Sequence, residues 1–177
     1  MTASFPPWTE EHEMIRELVS DFSKEKLAPF RQEWDKAGHW PAREVLKEMA
    51  GLGLLGIRFP EEYGGLALDW WSTVAFIEGL GECRNAGVVM SILVHTDMAT
   101  PVIDEIGTDE QKEEFLRPVI QGEKIACLGV TEPNAGSDVA NLMTTARSDG
   151  DDFVINGQKT YITNGSFADF VVLAVRT

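Results

Sequence analysis

The spacing of the apolar residues changes once along this chain of 177 residues. In the first part, apolar side chains recur every three or four residues, as at Ile15 and Val19, which is the spacing of an amphipathic helix. From Ile125 they form short runs separated by turn-forming residues, a pattern typical of β-strands. We therefore predict an α+β chain, in which an all-α N-terminal domain (residues 1–124) precedes the first strands of a β-barrel or β-sandwich domain (residues 125–177).

Residues that favour helix ends mark several boundaries of the predicted helices. Thr9 and Asp69 can accept hydrogen bonds from the free N–H groups of a first helical turn, and Thr108 with Gln111 fits a capping box. Pro29 is expected to break or kink the first helix, because proline lacks an N–H donor. In the β part, the predicted strands are residues 125–131, 139–147, 152–156, 158–163 and 169–175.

The dipeptide Asn156-Gly157 predicts a two-residue β-hairpin loop. A type I′ turn needs positive φ at both central positions, and Asn-Gly is a pair that adopts it readily. We therefore expect Gly157 to have positive φ and the following strand to bring residues 161–163 back beside the strand before the turn. This arrangement would place residues 161–163 within reach of residues 129–138.

A run of small apolar residues leads directly into a polar loop. Residues 126–130 can form a buried strand, and Pro133 ends regular pairing. Residues 134–138 favour a loop, and the glycine among them lets a ligand approach the backbone. The loop either presents N–H groups and hydroxyls to a polar ligand or is an ordinary connection between strands. The residues alone favour the ordinary connection, because the fingerprints of phosphate loops are absent.

Three motifs in the second half resemble the acyl-CoA dehydrogenase family. They are Val-Thr-Glu-Pro-x-Ala-Gly-Ser-Asp from Val130, Ile-Asn-Gly-Gln-Lys-x-Tyr-Ile-Thr-Asn-Gly from Ile155 and Phe-Ala-Asp-Phe from Phe167. Pro-Glu-Glu-Tyr-Gly-Gly from Pro60 and Gly-Thr-Asp-Glu-Gln-Lys from Gly107 agree with them. The resemblance implies the helical N-terminal domain and the opening of the central β-domain of a longer, truncated subunit. Since its last strands would have open edges, we expect a chain that is cut short or completed by another chain.

The resemblance implies FAD-dependent α,β-dehydrogenation of an acyl-CoA thioester, in which a carboxylate base removes the α-proton and the flavin N5 takes a hydride from the β-carbon. The family's base lies in a C-terminal domain, so no catalytic residue is expected in this chain, which alone would be inactive. We interpret Glu132 as a structural residue of the loop. The implied flavin contacts are Leu128, Val130, Thr131, Tyr161, Ile162 and Thr163, with the Thr163 hydroxyl near N5. The family usually has Trp at the position of Tyr161, which offers a larger aromatic face.

The resemblance also implies two segments that bind substrate. Gly136 and Ser137 would lie along the thioester and pantetheine. The candidates for the acyl pocket share one helical face by their spacing and are Met90, Leu93, Val94 and Asp97. An acidic residue such as Asp97 is unusual beside a plain alkyl tail. For the neighbouring His95, the favoured interpretation is an ordinary histidine of the core or its boundary.

The expected partners are an acyl-CoA substrate and an electron-transfer flavoprotein or similar electron acceptor. We also expect a homo-oligomer such as a homotetramer, or a hetero-oligomer with a chain that supplies the C-terminal domain. Two alternatives remain. One is a flavin-dependent monooxygenase or nitroalkane-oxidase-like enzyme of the same fold, and the other is a non-catalytic half-length subunit that completes a partner's site.

Composition restricts the partners further. The net charge of −14, from 29 acidic and 15 basic residues, argues against nucleic acid and anionic membranes. Cys83 and Cys127 are expected to be buried free thiols, and no metal site is expected. The first eight residues lack the features of a signal peptide, and no apolar run approaches the roughly 20 residues of a membrane span. We therefore expect a cytoplasmic protein or, less favoured, one of the mitochondrial matrix.

Overall fold

The structure, a computed structural model, describes residues 7–177. Its α-helices are α1 (Glu10–Phe22), α2 (Arg31–Ala37), α3 (Ala42–Gly51), α4 (Trp70–Leu80), α5 (Ala86–Leu93), α6 (Thr100–Ile106), α7 (Asp109–Gln111) and α8 (Arg117–Ile120). Three π-helical segments continue them: Ser23–Leu27 after α1, Val94–Ala99 between α5 and α6, and Lys112–Leu116 between α7 and α8. The 3-10 turns are Ala28–Phe30, Glu61–Tyr63, Gly81–Cys83 and Val139–Asn141.

The predicted helix caps are confirmed. Thr9 and Asp69 each accept a hydrogen bond from a backbone N–H of the first turn, at 3.4 Å and 2.9 Å, and Thr108 and Gln111 form the capping box. Pro29 lies where the π-helical segment after α1 gives way to a 3-10 turn, so the helix changes its course there as predicted.

The main hydrophobic core lies between the helices of the N-terminal part. Its fully buried side chains come from α1, α3, α4 and α5 and include Val19, Leu46, Met49, Phe76, Leu80 and Ile92. Helices α1 and α4 approach closely at Gly79, where an added Cβ would lie 2.7 Å from the Cβ of Val19. Full burial of an aliphatic or aromatic side chain contributes about 1.5–3 kcal/mol, so this core is the main source of stability in the helical part.

One long helix runs continuously through α5, its π-helical segment and α6. It spans Ala86–Ile106, and these 21 residues have a mean hydropathy of 1.5 over their most apolar window. By length and composition alone such a helix could cross a membrane, so the expectation that no apolar segment reaches this length was wrong. Ile92 and His95 on this helix are completely buried in the fold. A buried core helix can have the same length and mean hydropathy as a helix that crosses a membrane.

Two pairs of strands follow the helices. Strand β1 (Ala126–Gly129) pairs in parallel with β4 (Phe170–Leu173), with Ala126 opposite Phe170. Strand β2 (Thr145–Asp149) pairs antiparallel with β3 (Asp152–Asn156). The fold class is therefore confirmed as α+β, with a helical N-terminal part followed by β-strands. The predicted strand 139–147 begins only at Thr145, because its first residues form the 3-10 turn Val139–Asn141.

The hairpin predicted at Asn156-Gly157 was wrong. The chain turns from β2 into β3 at Gly150, which has φ +66°, so the hairpin lies before β3 rather than after it. Residues 158–163 form no strand. Gly157 has φ +159°, close to fully extended and far from the left-handed region that a type I′ turn requires. Its missing side chain serves packing instead, because an added Cβ would lie 2.6 Å from the Cα of Thr144. The tertiary contact with Thr144 overrides the local turn preference.

Candidate functional site

Two segments that are distant in sequence meet at the end of β1. The Thr160 N–H donates a hydrogen bond to the Thr131 carbonyl at 2.9 Å. The Lys159 ammonium donates to the Val130 carbonyl, also at 2.9 Å. Lys159 and Thr160 therefore lie beside Val130 and Thr131, held by side-chain and loop contacts rather than by the expected hairpin. The approach of residues 161–163 to residues 129–138 stays a prediction.

Glu132 anchors this junction. Its carboxylate is almost completely buried and accepts hydrogen bonds from the Lys159 ammonium (2.8 Å), the Met143 N–H (2.6 Å) and the Thr144 N–H (2.9 Å). These contacts lower the pKa of Glu132 to about 2, and the hydrogen bond from Lys159 has the largest effect. The carboxylate is therefore charged at neutral pH and fully engaged, which agrees with a structural role.

The junction leaves several polar groups available to a ligand. The hydroxyls and backbone N–H groups of Thr131 and Thr163, and the Val130 N–H, make no hydrogen bond to any residue within 7–177. Both threonines are half-buried, so their polar groups stay within reach of water or of a ligand. The polar edge of an isoalloxazine ring carries carbonyl oxygens and ring nitrogens that accept hydrogen bonds. The donors at this junction therefore fit FAD.

The other three predicted flavin contacts differ in their surroundings. Leu128 packs against the small buried cluster of Ala99, Val119 and Ala126, so its side chain belongs to the core. Ile162 is half-buried. Tyr161 is 91% exposed and has φ +56°, which is uncommon for a residue other than glycine and is found often at functional sites.

A cavity of about 320 Å³ borders Thr163 on the side of the helices. Its lining includes three aromatic side chains, Trp34, Trp40 and Phe167, and the polar residues Asp35, Asn85 and Ser91. Thr163 is therefore accessible from this cavity. Within residues 7–177, no group of three or more His, Cys, Asp or Glu side chains could hold a metal ion.

The loop after Glu132 is tightly closed at its start and open afterwards. The backbone of Glu132 and Ala135 exchanges two hydrogen bonds, at 2.8 Å and 3.1 Å, around the two residues between them. Gly136 and Ser137 then lie exposed, and an added Cβ on Gly136 would meet no atom within 4 Å. This space would admit a ligand along the backbone, and the assignment of both residues to substrate binding stays a prediction.

The four candidates for the acyl pocket differ in exposure along the long helix. Met90 is 47% exposed, Leu93 packs at the edge of the main core and Val94 is buried. The four positions share one face only in a regular α-helix, whereas the π-helical segment Val94–Ala99 changes the periodicity before Asp97. Their role in binding an acyl group therefore stays a prediction.

Asp97 has a basic partner, which explains an acid on this apolar helix. Its carboxylate lies 3.8 Å from the Arg58 guanidinium and 2.6 Å from the Thr96 hydroxyl. The guanidinium in turn stacks over the Trp70 ring, 3.6 Å from the ring centroid. Burial raises the pKa of Asp97, and the contacts with Thr96 and Arg58 oppose this change.

Two further residues were missed as site residues by the sequence analysis. Asp169 accepts hydrogen bonds from the Ile125 N–H (2.7 Å) and from both terminal nitrogens of Arg43 (2.8 and 3.0 Å), and the Arg43 contact lowers the pKa of Asp169. Through these hydrogen bonds, Asp169 connects Arg43 on α3 to Ile125, the residue before β1. Asn164 is buried and links β1 to α5. Their positions in the Phe-Ala-Asp-Phe and Thr-Asn-Gly motifs were visible, but their partners lie far away in sequence.

Comparison with known proteins places the chain in a family. The family model for the acyl-CoA dehydrogenase N-terminal domain matches residues 9–123, and the model for the middle domain matches residues 127–177. The chain therefore belongs to the acyl-CoA dehydrogenase family.

Relatives and solved structures agree with this membership. The chain is 38% identical over 170 residues to the 3-(aryl)acrylate reductase of Clostridium sporogenes, covering 96% of this chain and 45% of that protein. It is 41% identical over 169 residues to the short-chain specific acyl-CoA dehydrogenase of Clostridium acetobutylicum, covering 94% and 44%. The crystal structure of an acyl-CoA dehydrogenase from Geobacillus kaustophilus matches with a TM-score of 0.90 and 40% identity, covering 99% and 45%. The chain thus spans less than half the length of these proteins.

Proposed function

We propose that this chain forms part of the flavin and substrate site of an enzyme that dehydrogenates acyl-CoA thioesters between the α- and β-carbons with FAD. The observation that carries the proposal is the pair of threonines, Thr131 and Thr163, whose donors have no partner within residues 7–177 and whose segments are joined by the Thr160–Thr131 hydrogen bond. The family membership and the acyl-CoA dehydrogenases among its relatives support it. When bound, FAD supplies the acceptor for the hydride.

The chain's own residues bind and orient in this proposal. The hydroxyls of Thr131 and Thr163 and the nearby N–H groups donate to the polar edge of the ring, while the backbone of Leu128 and the residues Tyr161 and Ile162 border it. The open loop at Gly136 and Ser137 runs along the thioester and pantetheine. Fixed donors of this kind orient a ligand without reorganisation during the reaction.

No residue of this chain is assigned as the base that removes the α-proton. Glu132 is the carboxylate nearest to the junction, but its pKa of about 2 and its ion pair with Lys159 make it a poor proton acceptor. We assign the acyl tail to the helix of Met90, and the electrons to an electron-transfer flavoprotein or similar acceptor. An oligomer completes the site in this proposal.

The proposal is tested by flavin content and anaerobic reduction. The completed enzyme, in which this chain is joined to or assembled with a chain that supplies the C-terminal domain, is isolated with FAD and titrated with acyl-CoA thioesters of several chain lengths, and the loss of visible flavin absorbance is recorded. The expected result is bleaching by at least one acyl-CoA, slowed in Thr163→Val and Thr131→Val. The matched control is Thr145→Val, because Thr145 is an exposed threonine on β2 whose hydroxyl binds no other residue within 7–177.

Other outcomes would favour the alternatives. A flavin that is reduced by a nicotinamide cofactor or by a nitroalkane, but by no acyl-CoA, would assign the fold to a monooxygenase or a nitroalkane-oxidase-like enzyme. A protein that binds no FAD, with or without a full-length relative present, would contradict the proposal altogether.

A further inference from the structure

Asn164 follows Thr163 directly and closes a turn. Its carbonyl accepts hydrogen bonds from the N–H groups of Phe167 (3.0 Å) and Ala168 (2.8 Å). Its φ of +68° lies in the left-handed region, which asparagine tolerates better than most residues. The side chain points inward, and the residue is 6% exposed. Its backbone and its burial therefore fix the end of the segment that carries Thr163.

The Asn164 amide joins two elements that are far apart in sequence. The amide oxygen accepts a hydrogen bond from the Ser91 hydroxyl on α5. The amide nitrogen donates to the Ser91 carbonyl at 2.9 Å and to the Ala126 carbonyl, at the start of β1, at 3.3 Å. Each of these groups is buried, so an amide that lost its partners would carry the cost of unpaired polar atoms.

His95 supports the same end of β1 from the long helix. The Ala126 N–H donates to Nδ1 of His95 at 3.2 Å, so side chains bind both backbone polar groups of Ala126. Burial lowers the pKa of His95 to about 4, which keeps the ring neutral and able to accept at Nδ1. Together with Asn164, His95 takes the place that a neighbouring strand would occupy beside Ala126.

The segment that carries Thr163 is thus held at two points, one at the start of β1 and one two residues beyond its end. At one end the Thr160 N–H binds the Thr131 carbonyl, and at the other the Asn164 amide binds the Ala126 carbonyl. Residues 158–163 form no strand, so no regular pairing fixes the register between these two points. Loss of the Asn164 contact would leave Thr163 between Thr160 on one side and the hydrogen bond from the Asp169 N–H to the Ile125 carbonyl, five residues after Asn164, on the other.

We propose that Asn164 is a positioning residue that fixes Thr163 relative to Thr131 on the flavin side of β1. The inference rests on the proposed function, because it assumes that Thr163 contacts the flavin. Asn164 touches neither the flavin nor the substrate in this proposal. It acts through Thr163, and this relationship can be measured.

The test is a double-mutant cycle between Asn164 and Thr163 in the FAD-bound protein. Asn164→Gly keeps the left-handed backbone accessible and removes the amide, and Asn164→Asp keeps the shape but loses the two N–H donors. Asn156→Gly and Asn156→Asp are matched controls, since Asn156 is exposed at the end of β3. The readouts are the visible flavin spectrum, the rate of anaerobic reduction by an acyl-CoA and the melting temperature.

The expected result is non-additivity. Asn164→Gly should slow flavin reduction by about tenfold in the otherwise native protein but by less than about twofold in the Thr163→Val background, because residues that act through one contact do not add. The flavin spectrum should shift in Asn164→Gly and Asn164→Asp and stay native in the Asn156 controls.

Other results would overturn the inference in distinguishable ways. Equal slowing in both backgrounds, or a lower melting temperature with a native spectrum and rate, would show a merely structural role. If Thr163→Val alone leaves the flavin spectrum and the rate of flavin reduction unchanged, the proposed contact between Thr163 and the flavin is wrong. Should the Asn164 variants not fold, Ser91→Ala removes one donor to the same amide and must give a smaller, equally non-additive effect, or the inference is wrong.

Discussion

The carboxylate of Glu132 lies 2.8 Å from the ammonium of Lys159, and the two side chains are only 2% and 9% exposed. Lys159 also donates to the Val130 carbonyl, and Glu132 accepts from the backbone of Met143 and Thr144. One buried ion pair therefore connects three segments around the end of β1. Removing either partner of such a pair leaves an uncompensated buried charge, so the pair is sensitive to single substitutions.

Glu132→Gln should lower stability in a way that depends on pH. The pKa of Glu132 falls from 4.5 to about 2 on folding, so its charged form stabilises the folded state. That contribution is complete above pH 4.5 and is lost as the pH falls toward 2. The difference in melting temperature between the native protein and Glu132→Gln should therefore be constant near neutral pH and shrink in that acid range.

Thermal unfolding from pH 7 to pH 2.5 measures this difference. Glu33→Gln is a suitable control, since Glu33 is an exposed glutamate on α2. A Glu132→Gln variant with native stability at pH 7 would show that the pair contributes nothing.

Gly157→Ala should destabilise the protein by about 1–3 kcal/mol, the usual range for overpacking. The cause is the contact of the new Cβ with the backbone of Thr144, 2.6 Å away, rather than a strained turn. Gly81→Ala is the control, because an added Cβ there meets no atom within 4 Å. Denaturant unfolding of both variants tests the difference, and equal stabilities would contradict the role of the Thr144 contact.

Asp169→Asn should lower the free energy of unfolding by about 1 kcal/mol, because it weakens charged hydrogen bonds that are partly exposed to water. The carboxylate of Asp169 binds both Arg43 and the Ile125 N–H. Arg43→Ala should lose most of the same free energy of unfolding. The double variant should lose less than the sum of the losses in the two single variants. Additive losses in urea unfolding would show that Asp169 and Arg43 act independently, and the exposed Asp151→Asn serves as the control.

Gly136→Val and Ser137→Ala should weaken the use of acyl-CoA while FAD content stays native. The loop is open at Gly136, so a larger side chain would block the approach of a ligand without a clash inside the protein. Loss of the Ser137 hydroxyl should cost less, on the order of 1 kcal/mol for one hydrogen bond. Loss of FAD with unchanged affinity for acyl-CoA would instead move this loop to the cofactor side.

The sequence by itself predicted much of the local structure. The caps at Thr9, Asp69 and Thr108 were correct, because a side-chain acceptor at a helix start needs only neighbouring residues. The change from helices to strands also followed from the spacing of the apolar residues. The sequence motifs in the second half indicated the acyl-CoA dehydrogenase family, and the family models match the chain. Cys83 and Cys127 are buried and free, as composition indicated.

Only the tertiary structure decided how the site is held together. Asn156-Gly157 carries a strong local turn signal, but the packing of Gly157 against Thr144 prevents that turn, and β3 pairs with β2 instead. Asn164 and Ala126 are 38 residues apart in sequence. Neither the spacing of apolar residues nor the residue type identifies a partner so distant in sequence, since both indicate contacts only within one or two helical turns. The contacts that place Thr163 beside β1 therefore become visible only when the chain is folded.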